Sequence, residues 1–102
     1  MSRQYLLMLS NPVEGQEEEF RKWYWETHIP EILDLPGFVS ARRLSTPEGT
    51  TMPVAHRYAT LYEVEGPAEA ALGTLYTAGL GMSDTLDLTT VAMLPYVAHD
   101  EF

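Results

Sequence analysis

The stretch GQEEEFRKWYWETHIPEILDLPGFVSARRL, residues 15–44, contains the pattern that decides the fold. From Gln16 to about Leu35, apolar and aromatic residues recur three or four positions apart with charged residues between them. That period is typical of an amphipathic helix, and the glutamates at its start suit the positive end of a helix dipole. Pro36 and Gly37 end the helix, and Phe38 to Leu44 has the composition of a strand. The stretch therefore predicts a long helix followed by a strand.

Pro30 interrupts this helical pattern. Proline has no amide hydrogen and its ring clashes with the preceding turn, so we predict a kink or break around residues 27–29. Ser10 or Asn11 is a candidate cap for the start of the helix, with Pro12 in its first turn.

The remaining elements are predicted from the lengths of the apolar runs, from the alternation of apolar and polar residues, and from the prolines and glycines that end segments. We predict strands at residues 4–10, 55–64 and 88–97, a loop at 45–53 and a second helix at 68–78. The order strand, helix, strand, strand, helix, strand predicts an α+β fold. Its expected form is a ferredoxin-like βαββαβ sandwich, an antiparallel sheet with two helices on one face, filling a single domain over residues 1–102.

Length and composition favour self-association. A chain of 102 residues buries a thin core, so a second copy would add stability. The first strand is apolar at Leu6, Leu7, Met8 and Leu9, hence on both faces. We therefore expect a homodimer in which two sheets pack against each other.

Charge and cysteine content exclude several classes of partner. The formal charge of −9 disfavours nucleic acid and anionic membrane surfaces, and no apolar run is long enough for a membrane span or a signal peptide. Without cysteine there are no disulfides, thiolate nucleophiles or cysteine-based zinc sites. We expect a cytoplasmic protein with no metal site and no cofactor.

The same stretch resembles the dimeric α+β barrel superfamily, and its EthD-like small proteins in particular. The elements that carry the resemblance are Gly15, the acidic run 17–19, Phe20, Trp23-Tyr24, His28 with Pro30, Pro36-Gly37 and Arg42-Arg43. The resemblance implies a homodimer whose sheets form a barrel, with a small-molecule cavity between each sheet and its helices. It leaves the reaction open, because the superfamily includes cyclases, dehydratases, isomerases, quinone-forming monooxygenases and haem-handling proteins.

His28 is the foremost catalytic candidate. Its imidazole titrates near neutrality, and a helix kink beside Pro30 can turn it toward the sheet. The alternative is a structural role in which His28 binds a backbone group freed by the kink. Tyr24 lies four residues earlier, on the same side of a regular helix, so its phenol is the candidate catalytic partner. The alternative for Tyr24 is a structural role in the hydrophobic core.

Four residues are candidates for substrate binding: Trp23, Arg43, Tyr58 and Tyr62. Trp23 is better explained as a core anchor, and Arg43 is better explained as the partner of a glutamate in an ion pair. Tyr58 and Tyr62 share one face of the third predicted strand. That face looks either toward the cavity or toward a second subunit, and the sequence leaves both open.

Three classes of function remain. The first is a cofactor-independent acid/base enzyme of cyclase, dehydratase or isomerase type, in which His28 moves a proton on a hydrophobic or aromatic, oxygen-bearing molecule. The alternatives are a homodimer that binds a small molecule without catalysis, and a haem-binding or monooxygenase-type member of the superfamily.

Overall fold

The computed structural model describes residues 3–99. Its elements, in chain order, are β1 (Gln4–Ser10), α1 (Glu17–Trp23), a π-helical turn (Tyr24–His28), α2 (Ile29–Leu33), β2 (Phe38–Ser45), β3 (Tyr58–Val64), α3 (Ala68–Thr77), a 3₁₀ turn (Leu88–Thr90) and β4 (Ala92–Val97).

The four strands form one antiparallel sheet in the order β2-β3-β1-β4. The central strand β1 pairs with β3 on one side and with β4 on the other, with Leu6 opposite Tyr62 and Pro95. The predicted ferredoxin-like α+β fold is therefore confirmed. No helix within residues 3–99 is long and apolar enough to cross a membrane.

The cap predicted for the first helix is wrong, and so are the predicted starts of β3 and β4. The first helix starts at Glu17, well after Asn11, whose side chain instead bonds the backbone of Ala55 (2.8 Å) and Arg57 (2.7 Å). β3 begins at Tyr58, directly after Arg57. Before β4, the Asp87 carboxylate accepts hydrogen bonds from the backbone and hydroxyl of Thr89 and forms a tight turn where strand was expected.

The helix break predicted near Pro30 is a π-helical turn within one continuous helical segment, residues 17–33. The backbone N–H of Ile29 donates to the carbonyl of Tyr24, five residues back. Pro30 is the second residue of α2, directly after this bond. Such turns are rare and often occur at functional sites.

The two faces of the sheet differ in burial. Leu6, Tyr62 and Thr60 lie on the face covered by the helices and are at most 2% exposed. The core on this side is completed by Phe20 and Ile32 of the long helical segment, both fully buried. The opposite face carries side chains that remain partly exposed, namely Tyr5, Leu7, Leu9, Leu61 and Leu94.

Candidate functional site

An apolar cavity of about 390 Å³ lies between the helix-covered face of the sheet and the chain that follows α3. Met8 and Met93, opposite each other on β1 and β4, line the sheet side. Ile32 and Leu75 line it from the helices, and the segment 79–91 supplies the rest of the wall. The volume falls within the range of small-ligand sites.

His28 is the polar residue set most deeply in this wall. It is 3% exposed, and its Nδ1 is a buried atom with no hydrogen-bond partner among the described residues. Buried polar atoms are nearly always paired, so an unpaired imidazole nitrogen beside a cavity needs a functional explanation.

The imidazole favours its neutral form. Burial lowers the pKa of His28, and the carboxylate of Glu31 opposes that effect only in part. A neutral imidazole has a free lone pair, so at neutral pH it is ready to accept a proton.

The π-helical turn fixes the orientation of this imidazole. The rings of Trp23 and His28 are stacked, with centroids 4.6 Å apart and planes 23° apart. In a regular α-helix, positions five residues apart point in directions about 140° apart, so this contact requires the extra residue of the π-turn. Sequence periodicity, which assumes a regular helix, did not predict this stack.

Tyr24 and Tyr62 lie beside the cavity but are not among its lining residues. The Tyr24 hydroxyl donates to Met8 Sδ (2.8 Å), accepts from Thr60 Oγ1 (3.0 Å) and lies 3.4 Å from the Tyr62 hydroxyl. Burial raises the pKa of both phenols, which therefore stay protonated. Met8 belongs to the wall, so this hydroxyl cluster contacts the cavity through Met8.

Arg43 and Tyr58 are part of a different surface from His28. The Arg43 guanidinium lies 4.7 Å from the centre of the Trp25 ring, in a charged open groove along α1. The Tyr58 hydroxyl accepts a hydrogen bond from Arg21 (3.1 Å), and its ring packs edge-on against Trp25. Tyr58 and Tyr62 thus face the helices, which settles the orientation that the sequence left open. Of the six predicted site residues, His28 alone lines the apolar cavity.

Sequence reasoning missed the segment after α3. Leu80, Met82, Leu88 and Val91 line the cavity, although residues 79–87 suggested only a helix end and a polar turn. His56 of the loop before β3 contributes to its position, because its Nε2 lies 2.8 Å from the Thr90 carbonyl oxygen. The alternation of apolar residues with glycines in this segment is the sequence pattern that could have identified it as part of a cavity wall.

Comparison with known proteins supports the fold. No protein-family model and no curated protein matches this chain. Among solved structures, the chain is similar to the crystal structure of a "putative monooxygenase" from Shewanella loihica PV-4. The two share 20% sequence identity with a TM-score of 0.52, over 100% of this chain and 98% of the other. At this identity the likeness establishes a shared fold, and the resemblance to EthD-like proteins stays a prediction.

Proposed function

We propose that this protein is a cofactor-independent acid/base enzyme. It binds an uncharged, largely apolar molecule in the cavity, and His28 moves a proton on that molecule. The observation that carries the proposal is the imidazole of His28, buried in the wall of an otherwise apolar cavity, where burial favours its neutral form.

The lining chemistry restricts the ligand. Of the residues described around the cavity, none is an acid, a lysine or an arginine, and the side chains that can titrate are His28 and Tyr76. Burying an unpaired charge is costly, so a carboxylate or phosphate ligand is disfavoured. An oxygen-bearing hydrophobic molecule with one acidic O–H or C–H fits, since His28 supplies one polar contact and the walls supply apolar surface.

The reaction types that fit are those that need only a proton to be removed and returned, such as enolisation, dehydration or cyclisation. The neutral imidazole takes the proton, and the burial of His28, which is 3% exposed, limits its contact with water that would compete for it. The sequence predicted a catalytic pair, His28 and Tyr24, whereas in this proposal His28 alone contacts the ligand. Tyr24 supports the position of Met8 behind the wall.

Proton exchange tests this function without knowledge of the natural substrate. The protein is incubated in D₂O with a panel of hydroxyaromatic and 1,3-dicarbonyl compounds, and deuterium incorporation is followed by NMR. His28→Gln should abolish the acceleration, with His99→Gln as a control at an exposed histidine far from the cavity wall. Full activity in His28→Gln would refute the role of His28. Ligand binding without exchange in either protein would favour the non-catalytic alternative.

A monooxygenase reaction is the second candidate, and the name of the structurally similar Shewanella protein favours it. Proton removal by His28 would give an electron-rich ligand that reacts with oxygen. Oxygen uptake measured with an electrode, with the same panel and the same two variants, separates this reaction from simple proton transfer.

We also propose that a second copy of the chain covers the open face of the sheet. The partly exposed apolar residues of β1, β3 and β4 support this arrangement, since a monomer would leave them facing water.

A further inference from the structure

Glu31 connects the buried His28 to the solvent. Its Oε1 lies 3.9 Å from Nδ1 of His28, the imidazole nitrogen that lacks a hydrogen-bond partner within residues 3–99. The side chain of His28 is 4% exposed, whereas that of Glu31 is 42% exposed. The pair thus extends from the cavity wall to water.

The π-helical turn produces this arrangement. His28 is its last residue, and Glu31 lies three residues later on α2, where side chains three apart are neighbours. Because Trp23 stacks against the imidazole ring, the ring has little freedom to turn away from Glu31. At 3.9 Å the carboxylate attracts this side of the ring through its charge, without a hydrogen bond, and so favours the tautomer with a proton on Nδ1.

We propose that Glu31 is a positioning residue for His28, which keeps the proton of the neutral imidazole on Nδ1 and exchanges that proton with solvent. The inference rests on the proposed function of His28. Nε2 takes a proton from an O–H or C–H of the ligand, and Nδ1 releases its own proton toward the Glu31 carboxylate and water. Return of a proton to the ligand reverses both transfers, so no redox partner is required.

No other charged group competes for this role within the described chain. Around His28, the titratable neighbours are Tyr24, whose ring centroid is 5.6 Å away and whose hydroxyl is bonded to Met8, and Tyr76 at the cavity mouth, which is 70% exposed. The elements that face His28 across the cavity contribute methionine and aliphatic side chains. Glu31 is accordingly the one charge that acts on the pKa of His28, which it raises against the effect of burial.

NMR titration of the His28 imidazole tests the inference on the purified protein, without substrate. Glu31→Gln removes the carboxylate but keeps its shape, and should lower the pKa of His28 by roughly 0.2–0.7 pH unit, the size typical of a partly exposed ion pair. Glu26→Gln, an exposed carboxylate on the same helical segment, changes the net charge equally and serves as the matched control. An unchanged His28 titration in Glu31→Gln, or an equal shift in Glu26→Gln, overturns the inference.

The pH dependence of turnover gives a second readout. In Glu31→Gln the acidic limb of the kcat profile should move to lower pH with a reduced maximum, and Glu31→Asp should recover part of that maximum. A Glu31→Gln profile that matches that of the unmodified protein overturns the proposed role of Glu31. If His28→Gln is fully active while the titration shift is observed, the proposed function fails and the Glu31–His28 coupling stands.

Discussion

Tyr24→Phe removes a single hydroxyl from the cluster behind the cavity wall and leaves the aromatic ring in place. That hydroxyl is buried, accepts a hydrogen bond from Thr60 at 3.0 Å and donates to Met8 Sδ at 2.8 Å. Its neighbour Tyr62 lies 3.4 Å away and is fully buried. The substitution therefore creates no large cavity, but it deprives buried polar groups of a partner.

The expected cost follows from these contacts. A buried hydrogen bond contributes about 1 kcal/mol net, and a partner left unsatisfied costs about 1–3 kcal/mol. Since Tyr62 belongs to the same hydroxyl cluster and also bonds Thr60, we expect a loss near the middle of this range, about 2 kcal/mol. For a domain of this length that corresponds to a fall in Tm of roughly 8–16 °C.

Urea unfolding and calorimetry at one fixed protein concentration measure this loss, because association would make Tm depend on concentration. The control is Tyr76→Phe, which removes a hydroxyl from a side chain that is 70% exposed and should change stability by less than about 0.5 kcal/mol. Proton exchange is measured on the same samples. Since the Tyr24 hydroxyl does not line the cavity, Tyr24→Phe should retain most of the activity that His28→Gln loses.

Two results would refute this reasoning. A destabilisation equal to that of Tyr76→Phe would mean that the hydroxyl cluster contributes nothing to the fold. Loss of exchange activity in a folded Tyr24→Phe protein, at temperatures well below its Tm, would return Tyr24 to the role of a catalytic group that contacts the ligand.

Three further predictions concern pH, assembly and the turn before β2. Burial lowers the pKa of His28 from 6.5, so the folded protein resists protonation of this imidazole. As pH falls below 6.5, His28 should therefore reduce the free energy of unfolding by up to about 1.4 kcal/mol per pH unit. His28→Gln should lack this loss in urea unfolding between pH 7 and 5, and parallel pH curves for the two proteins would contradict the prediction. Leu61→Arg places a charge in the middle of the open sheet face and should convert the proposed dimer into monomers. Met52→Arg, in an exposed loop, should leave the dimer intact. Light scattering measures the mass of each variant, and equal masses would count against the proposed interface. Gly37 has φ +90°, so Gly37→Ala should destabilise the fold by about 1–2 kcal/mol. The φ of Gly81 is not positive, so Gly81→Ala should have little effect. Equal urea midpoints for the two variants would show that the turn at Gly37 relaxes.

The order of elements, and which residues of a strand share a face, were accessible from the sequence because they depend on local patterns. The periodic apolar residues around Phe20 and Ile32 indicate a helix wherever they are placed, and Pro36 and Gly37 end it for reasons of backbone geometry. Alternation in β3 predicted that Tyr58 and Tyr62 share one face of the strand, and in the structure they do. His28 stood out because imidazole chemistry belongs to the residue type itself.

Tertiary structure alone decided which candidates share a site. Tyr24 keeps the four-residue spacing from His28, yet its hydroxyl is bonded to β1 and β3 and does not reach the cavity. Arg43 is directed to another groove by its position on the edge strand β2. The wall formed by residues 79–91, the Trp23 stack and the unpaired Nδ1 of His28 depend on contacts between distant segments and on one π-helical turn. Periodicity describes a regular helix, so it does not show where an extra residue rotates the side chains that follow.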